Sequence, residues 1–263
     1  MNIKSLMICL LLIPSLVFAW GEEEDVGNIT GKLMLNNGQP MSGAIVFLFD
    51  ASSGPAPMLG KFWRVPDVIS ETDEAGEFNI QTKPGRYYLG AVKRMSDSAP
   101  MGPPVNGDYV FPSHEDEVRG KQKAFRITKW DTTNIGTIKG IIAFDPAKHL
   151  YRGPVTSIEG TVLLPDNKPA EHAIVFAYDN AEMSGSPKYA SDPSDKDGKY
   201  VLKLGKGGRY YLRVRGGYGG GRPVAGSITG GGVATGVNVT LGKTVKGINI
   251  TGAIFSEYGD KAK

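Results

Sequence analysis

Short apolar or alternating runs, broken at close intervals by Gly, Pro, Asn and Asp, fill most of this chain. No long stretch repeats its apolar positions at helical spacing, so the pattern predicts strands and turns, an all-β class. In Ile29-Thr30-Gly31-Lys32-Leu33-Met34-Leu35, Leu33 and Leu35 share one face of a strand. Asn36-Asn37-Gly38 then turns the chain, because Asn and Gly tolerate positive φ. The next run, Ala44-Ile45-Val46-Phe47-Leu48-Phe49, is apolar throughout, as expected of a strand at the centre of a sandwich.

The same pattern returns later. Gly31 is matched by Gly160, Ala44 to Phe47 by Ala173 to Phe176 and Pro40 by Pro169, at an offset of 129 residues without a gap. Thr72-Asp73-Glu74-Ala75-Gly76-Glu77-Phe78 corresponds to Ser194-Asp195-Lys196-Asp197-Gly198-Lys199-Tyr200, and Gly-Arg-Tyr-Tyr-Leu occurs at Gly85 and again at Gly208. The chain therefore reads as a duplicated unit. In each pentapeptide, alternation sends Tyr87 and Leu89, or Tyr210 and Leu212, inward, with the phenol expected to bond a backbone group near the rim.

Between the matched segments the copies diverge. Ala51 to Val68 is a Pro- and Gly-rich loop carrying Lys61-Phe62-Trp63-Arg64, whereas Asn180 to Asp192 is shorter and polar. Met95 to Gln122 and the glycine-rich Gly216 to Gly232 read as further surface loops. Each unit is expected to close with a strand pair, Phe125–Thr128 with Asn134–Ile138 and Val237–Leu241 with Val245–Ile250. The expected division is residues 28–143 for the first unit, a joint at 144–155, the second unit at 156–255 and a tail at 256–263. The joint lacks a flexible-linker composition, which predicts units packed against each other.

Gly31, Ala44 to Phe47, Asp73, Gly76, Phe78, Gly85, Tyr87 and Leu89, with their counterparts from Gly160 to Leu212, resemble the carboxypeptidase regulatory-like domain. The resemblance implies two tandem prealbumin-like (transthyretin-like) Greek-key β-sandwiches. Domains of that kind serve as accessory, adhesive, sugar-binding or scaffold modules.

Composition bears on compartment. Lys4, the apolar stretch Leu6 to Val17 and Val17-Phe18-Ala19 predict a cleaved secretory signal over residues 1–19, followed by an acidic leader at 20–27. The apolar run is shorter than the ~20 residues of a spanning helix, so no transmembrane span is expected after cleavage. Cleavage removes Cys9, the one cysteine, and with it disulfides and thiol chemistry. It also removes Lys4, leaving 29 basic against 27 acidic side chains, a balance that does not point to nucleic acid.

Candidate chemistry is sparse. Asp192, Asp195, Asp197 and Gly198 cluster as in a calcium loop, but Pro193 and Leu204 occupy positions that need acids, so a plain turn is the expectation. Tyr151-Arg152-Gly153-Pro154 is similar to the terminal Tyr-Arg-Gly-Ser of hydroxyisourate hydrolases, yet it lies in the joint and ends in Pro. His114, His149 and His172 have no metal-ligand spacing. The expectation is a chain with neither metal nor cofactor, and no enzyme.

Two features suggest ligands. With Tyr210, Leu212 and Val214 inward, Arg209, Tyr211, Arg213 and Arg215 line the opposite face, a basic and aromatic strip suited to an anionic polymer or sugar. In the first unit Tyr88 holds the comparable position, and loop residues Trp63, Arg64 and Trp130 are further candidates. The expected function is an exported, non-catalytic binding or scaffold protein of the bacterial envelope or surface, periplasmic or extracellular. Its expected partner is an envelope or surface protein. The alternative is a carbohydrate-binding protein that takes a glycan, peptidoglycan or another polysaccharide.

Overall fold

A computed structural model describes residues 25–95, 101–111, 122–149 and 151–256. The expected signal, most of the acidic leader, His114 and the tail beyond Ser256 lie outside the described residues.

The first half of the chain forms β1 (Gly27–Leu35), β2 (Ile45–Asp50), β3 (Val68–Glu71), β4 (Glu77–Thr82), β5 (Gly85–Lys93), β6 (Tyr109–Phe111), β7 (Ala124–Ile127) and β8 (Thr132–Ala143). The second half forms β9 (Thr156–Leu163), β10 (Ile174–Tyr178), β11 (Tyr189–Ala190), β12 (Lys199–Leu204), β13 (Gly208–Arg215), β14 (Ile228–Val239), β15 (Thr244–Val245), β16 (Ile250–Thr251) and β17 (Ala253–Ile254). No helix occurs among the described residues, and the protein is an all-β sandwich structure.

Period-2 alternation explains what is buried. In β4 the side chains of Phe78, Ile80 and Thr82 turn inward and Glu77, Asn79 and Gln81 outward; β12 buries Tyr200, Leu202 and Leu204 in the same way. One core gathers Ile29, Leu33, Val46, Leu48, Leu89 and Ile141. A second gathers Ile158, Val162, Val175, Leu212, Val214 and Ile250. Tyr87 and Tyr210 are both buried, and each donates its phenol proton to the carbonyl four residues back, Lys83 or Lys206, at 3.0 Å.

Other hydrogen bonds match pairwise between the halves. Thr72 Oγ1 donates to Met41 O and accepts from Ala44 N, as Ser194 Oγ donates to Ala170 O and accepts from Ala173 N. Asp73 Oδ1 accepts from Ala75 N and Glu77 N, as Asp195 Oδ1 accepts from Asp197 N and Lys199 N. The acids in these turns thus satisfy backbone donors. Gly76 and Gly198 supply the left-handed residue of each turn, at φ 74° and 73°.

The sheets differ from the sequence expectation in three places. The closing strands do not form hairpins. β7 pairs with β5, while β8 lies parallel to β1 and then antiparallel to β6, so the chain crosses between sheets there. The second half distributes the same task over β15 and β16 beside β9 and β17 beside β14. The two long loops also contain ladder segments. β6 lies within Met95–Gln122, and β14 begins inside the glycine run, where Thr229, Gly230 and Gly232 pair with β13. Pairing with a long neighbouring strand overrides local glycine content. Short β3 and β11, finally, follow loops with little apolar signal of their own, and both pair on their central strands.

Candidate functional site

The segment 51–67, unique to the first half, is where the halves meet. Its residue Phe62 is buried in the second core, edge-on to Tyr189 at 6.1 Å between ring centroids. Two positions on, Arg64 forms an antiparallel bridge with Tyr189, and Val65 N donates to Lys188 O at 3.1 Å. The first half therefore adds both an apolar plug and a short edge pairing to the second.

Arg64 is only 2% exposed. Its guanidinium donates to the carbonyls of Asp50, Gly54 and Pro55 at 3.0–3.1 Å and to Asp67 Oδ2 at 3.4 Å. Burial lowers its pKa, opposed by the charges of Asp67, Tyr189 and Asp50, and burial pushes the Tyr189 phenol up. The arginine thus holds the loop's backbone in the shape that delivers Phe62. As a ligand-binding candidate it is displaced by this inward role: no face of it is left for a polymer.

Trp63 points to the other side of the same strand-like segment. It packs edge-on against Phe47 and Phe49 at 5.7 and 6.2 Å, over a small apolar cluster that also holds Leu59, Val92, Val110 and Phe144. Tyr88 joins the same cluster, half-buried. An outer sheet face that alternation would leave wet is therefore roofed by its own loop.

A second such cluster lies on the outer face of β10 and β13. Ile174, Phe176 and Tyr178 are buried there against Val65, Met183, Tyr211 and Tyr218. Tyr218, from the glycine run, stands edge-on to Phe176 at 6.4 Å and donates its hydroxyl to Ser191 O at 2.6 Å. Burial raises its pKa. Arg215 holds that run with bonds to Gly219 O and Gly221 O at 3.1 and 2.6 Å. Arg213 lies over Tyr178 at 5.7 Å from its centroid, and Arg209 over Tyr211 at 5.7 Å. The basic strip is real in register, but Arg209 also donates to Thr235 O at 2.5 Å, so two of its three arginines hold backbone.

Two clefts flank Trp63 at the junction. One, of about 290 Å³, has walls of Trp63, Phe176, Tyr178, Tyr218 and Pro187, with Arg215 at its edge. The other, of about 360 Å³, is lined by Trp63, Phe62, Phe144, His149, Asp192 and Lys203. Residues 101–106 border both, held by the Arg94–Asp108 ion pair at 2.6 Å, in which Asp108 is buried and also accepts from Met95 N and Val105 N. Sequence reasoning passed over this pair; its signal was an Asp in a Pro-rich loop with an Arg just after a strand.

The remaining candidates stand apart. Trp130 is 58% exposed, with Lys129 over its ring at 5.4 Å, and lines neither cleft. His149 sets Nδ1 against the Asp145 backbone and stacks on Phe144 at 5.4 Å. Tyr151 lies under Lys61 at 4.4 Å, part of the joint. Among the described residues, no three His, Cys, Asp or Glu side chains gather as a metal site, and no helix is long and apolar enough to cross a membrane.

No family model matches the chain, and no curated protein does. Among solved structures, it is similar to the Bacillus anthracis TIE protein at 13% identity, over 88% of this chain and 34% of that one, with a TM-score of 0.27. A streptococcal ancillary pilin follows at 15% identity, over 88% and 63%, TM-score 0.26. The shaft pilin SpaA from Lactobacillus rhamnosus GG is 8% identical over 89% and 99%, TM-score 0.26. The chain spans about a third of the first of these and less than two thirds of the second. Superpositions this loose carry no inference about activity or partners.

Proposed function

We propose that the protein is an exported, non-catalytic binding or scaffold component of the bacterial envelope or cell surface, working through protein–protein contacts. In this reading it consists of two tandem carboxypeptidase regulatory-like sandwiches, at 28–143 and 156–255. The observation that carries it is the plug. Phe62, Arg64 and Val65 tie two β-sandwich cores into one block, so the loop that carries Trp63 and Arg64 supports architecture. Two modules joined in this way are suited to holding partners at a fixed spacing. Crosslinking in the native envelope should recover a defined protein partner; recovery of free monomer alone would sink this reading.

The aromatic cleft favours a second reading, carbohydrate binding. Rings of Trp63, Tyr178 and Tyr218 beside Arg215 are the groups that stack on and hydrogen-bond to a sugar. Ser186→Trp, on the exposed lip of that cleft, should abolish retention on a glycan or peptidoglycan column. A wild-type chain that is never retained removes this alternative.

A further inference from the structure

The seat that Phe62 fills has a counterpart in the first half. Phe47 faces Ile69 as Phe176 faces Ala190, so Val68 occupies the position of Tyr189. Counting from the matched Phe78 and Tyr200, Thr82 and Lys83 stand where Leu204 and Gly205 stand. Tyr87 answers to Tyr210. Around Phe62 the second-half set closes tightly: Gly205 lies against its ring, and Tyr189 packs on Tyr210 at 5.8 Å. The first-half set instead lines an open pocket of about 380 Å³.

The neighbouring edge differs in the same sense. The outer edge of β11 is met by Arg64 and Val65. On the outer edge of β3 no strand pairs among the described residues, and Ile69 is 43% exposed. At the pocket mouth the second half carries Asp179 and Lys188, 3.7 Å apart; the first carries two acids, Asp50 and Asp67. Asp50 Oδ1 accepts from Ser52 N, while Asp67 Oδ2 accepts from Asp50 N and from the buried Arg64 guanidinium, so the outward charge at this mouth rests on Asp50 and on the remaining Asp67 oxygen.

We propose that this pocket and the bare edge of β3 form a docking site for an extended segment of a partner protein that carries an aromatic residue next to a basic one. The ring enters between Val68, Thr82 and Tyr87, the backbone adds to β3, and the cation answers Asp50 and Asp67. The second half already takes a segment of that type from its own chain, Lys61-Phe62-Trp63-Arg64. Two other occupants fit less well. Residues 20–24 offer Trp20, but Glu22, Glu23 and Glu24 would meet two carboxylates. A second copy could offer its own Phe62 only by withdrawing it from its own core.

This inference rests on the binding reading above and names its surface. The probe is a synthetic peptide with the sequence Met58 to Pro66, titrated into residues 20–263 and followed by amide NMR. Saturable shifts are expected at Val26, Val68–Glu71 and Gln81–Lys83. Replacing the peptide's Phe62 by Ser, or using protein with Gln81→Arg at the exposed rim, should weaken binding at least tenfold while the urea midpoint of the variant stays unchanged. Three outcomes overturn the proposal: no saturable shifts, shifts at Tyr189 and Gly205 instead, or binding that appears only after residues 20–24 are removed. A partner crosslinked through some other face would also sink this site, yet leave the scaffold reading standing.

Discussion

Between β2 and β3 the first half carries residues 51–67; between β10 and β11 the second half carries only 179–188. The shared core does not require the extra length, because both halves bury equivalent positions around Tyr87 and Leu89 or Tyr210 and Leu212. The long loop works outward. It roofs its own sheet with Trp63 and completes its neighbour's core with Phe62. The two halves share that plan of burial, and the long loop makes them unequal: one gives a plug and the other receives it.

The sharpest way to break this asymmetry is Phe62→Ala. The substitution lies in the first half, but its cavity opens in the second core, so the second half should lose about 3–5 kcal/mol. Urea unfolding should split from one transition into two. A uniform loss across both halves would contradict the plug.

Alkaline pH should expose the same inequality. Burial raises the phenol pKa of Tyr189, Tyr200, Tyr210 and Tyr218, all in the second half, above the ordinary value of about 10. Beyond that pH the unfolded chain releases phenol protons that the folded chain retains, so stability is intact below about 10 and falls as pH rises further. Urea midpoints taken at pH 8, 9.5 and 11 should hold and then drop, with the second half failing first. If the first half fails earlier, this account of where the strain of ionisation falls is wrong.

A smaller effect tests the equivalence itself. His172 adopts φ 61°, where its counterpart Gly43 has φ 65°. An L-residue in that region costs roughly 1–2 kcal/mol, and glycine returns part of it through unfolded-state entropy. His172→Gly should therefore stabilise by about 0.5–1 kcal/mol; its partner Glu171 is exposed, 3.6 Å away, and adds little. A calorimetric scan showing no rise in Tm would argue against matched turns.

Much of this was legible in local sequence. The matched turns, the inward Tyr and Leu of each pentapeptide, and even the phenol's backbone partner follow from alternation and from the need to satisfy a buried hydroxyl. The joint's composition pointed to units packed against each other, but the contact through Phe62 was not visible in it. Phe62 and Trp63 are adjacent in the chain and read as one loop aromatic patch, yet one enters the far core and the other the near roof. Which way each ring points depends on where a distant edge strand, β11, presents Tyr189 and Lys188. The basic strip shows the same limit. Its register was readable, but the carbonyls of Gly219, Gly221 and Thr235 that hold Arg215 and Arg209 come from loops with no fixed spacing.

The parallel pairing of the first and last strands of the first half has a mechanical consequence. A pull applied to the chain before β1 and after β8 draws two parallel neighbours in opposite directions along their length. The six register pairs between Asn28 and Leu35 and their partners on β8 then resist together, in shear, instead of parting one by one. In the second half the same seam is divided between β15 and β16, with four pairs in two separate pieces. Under tension along the chain, the half that receives the plug should be the first to give way, and Phe62 would be the last contact tying it to the half still standing.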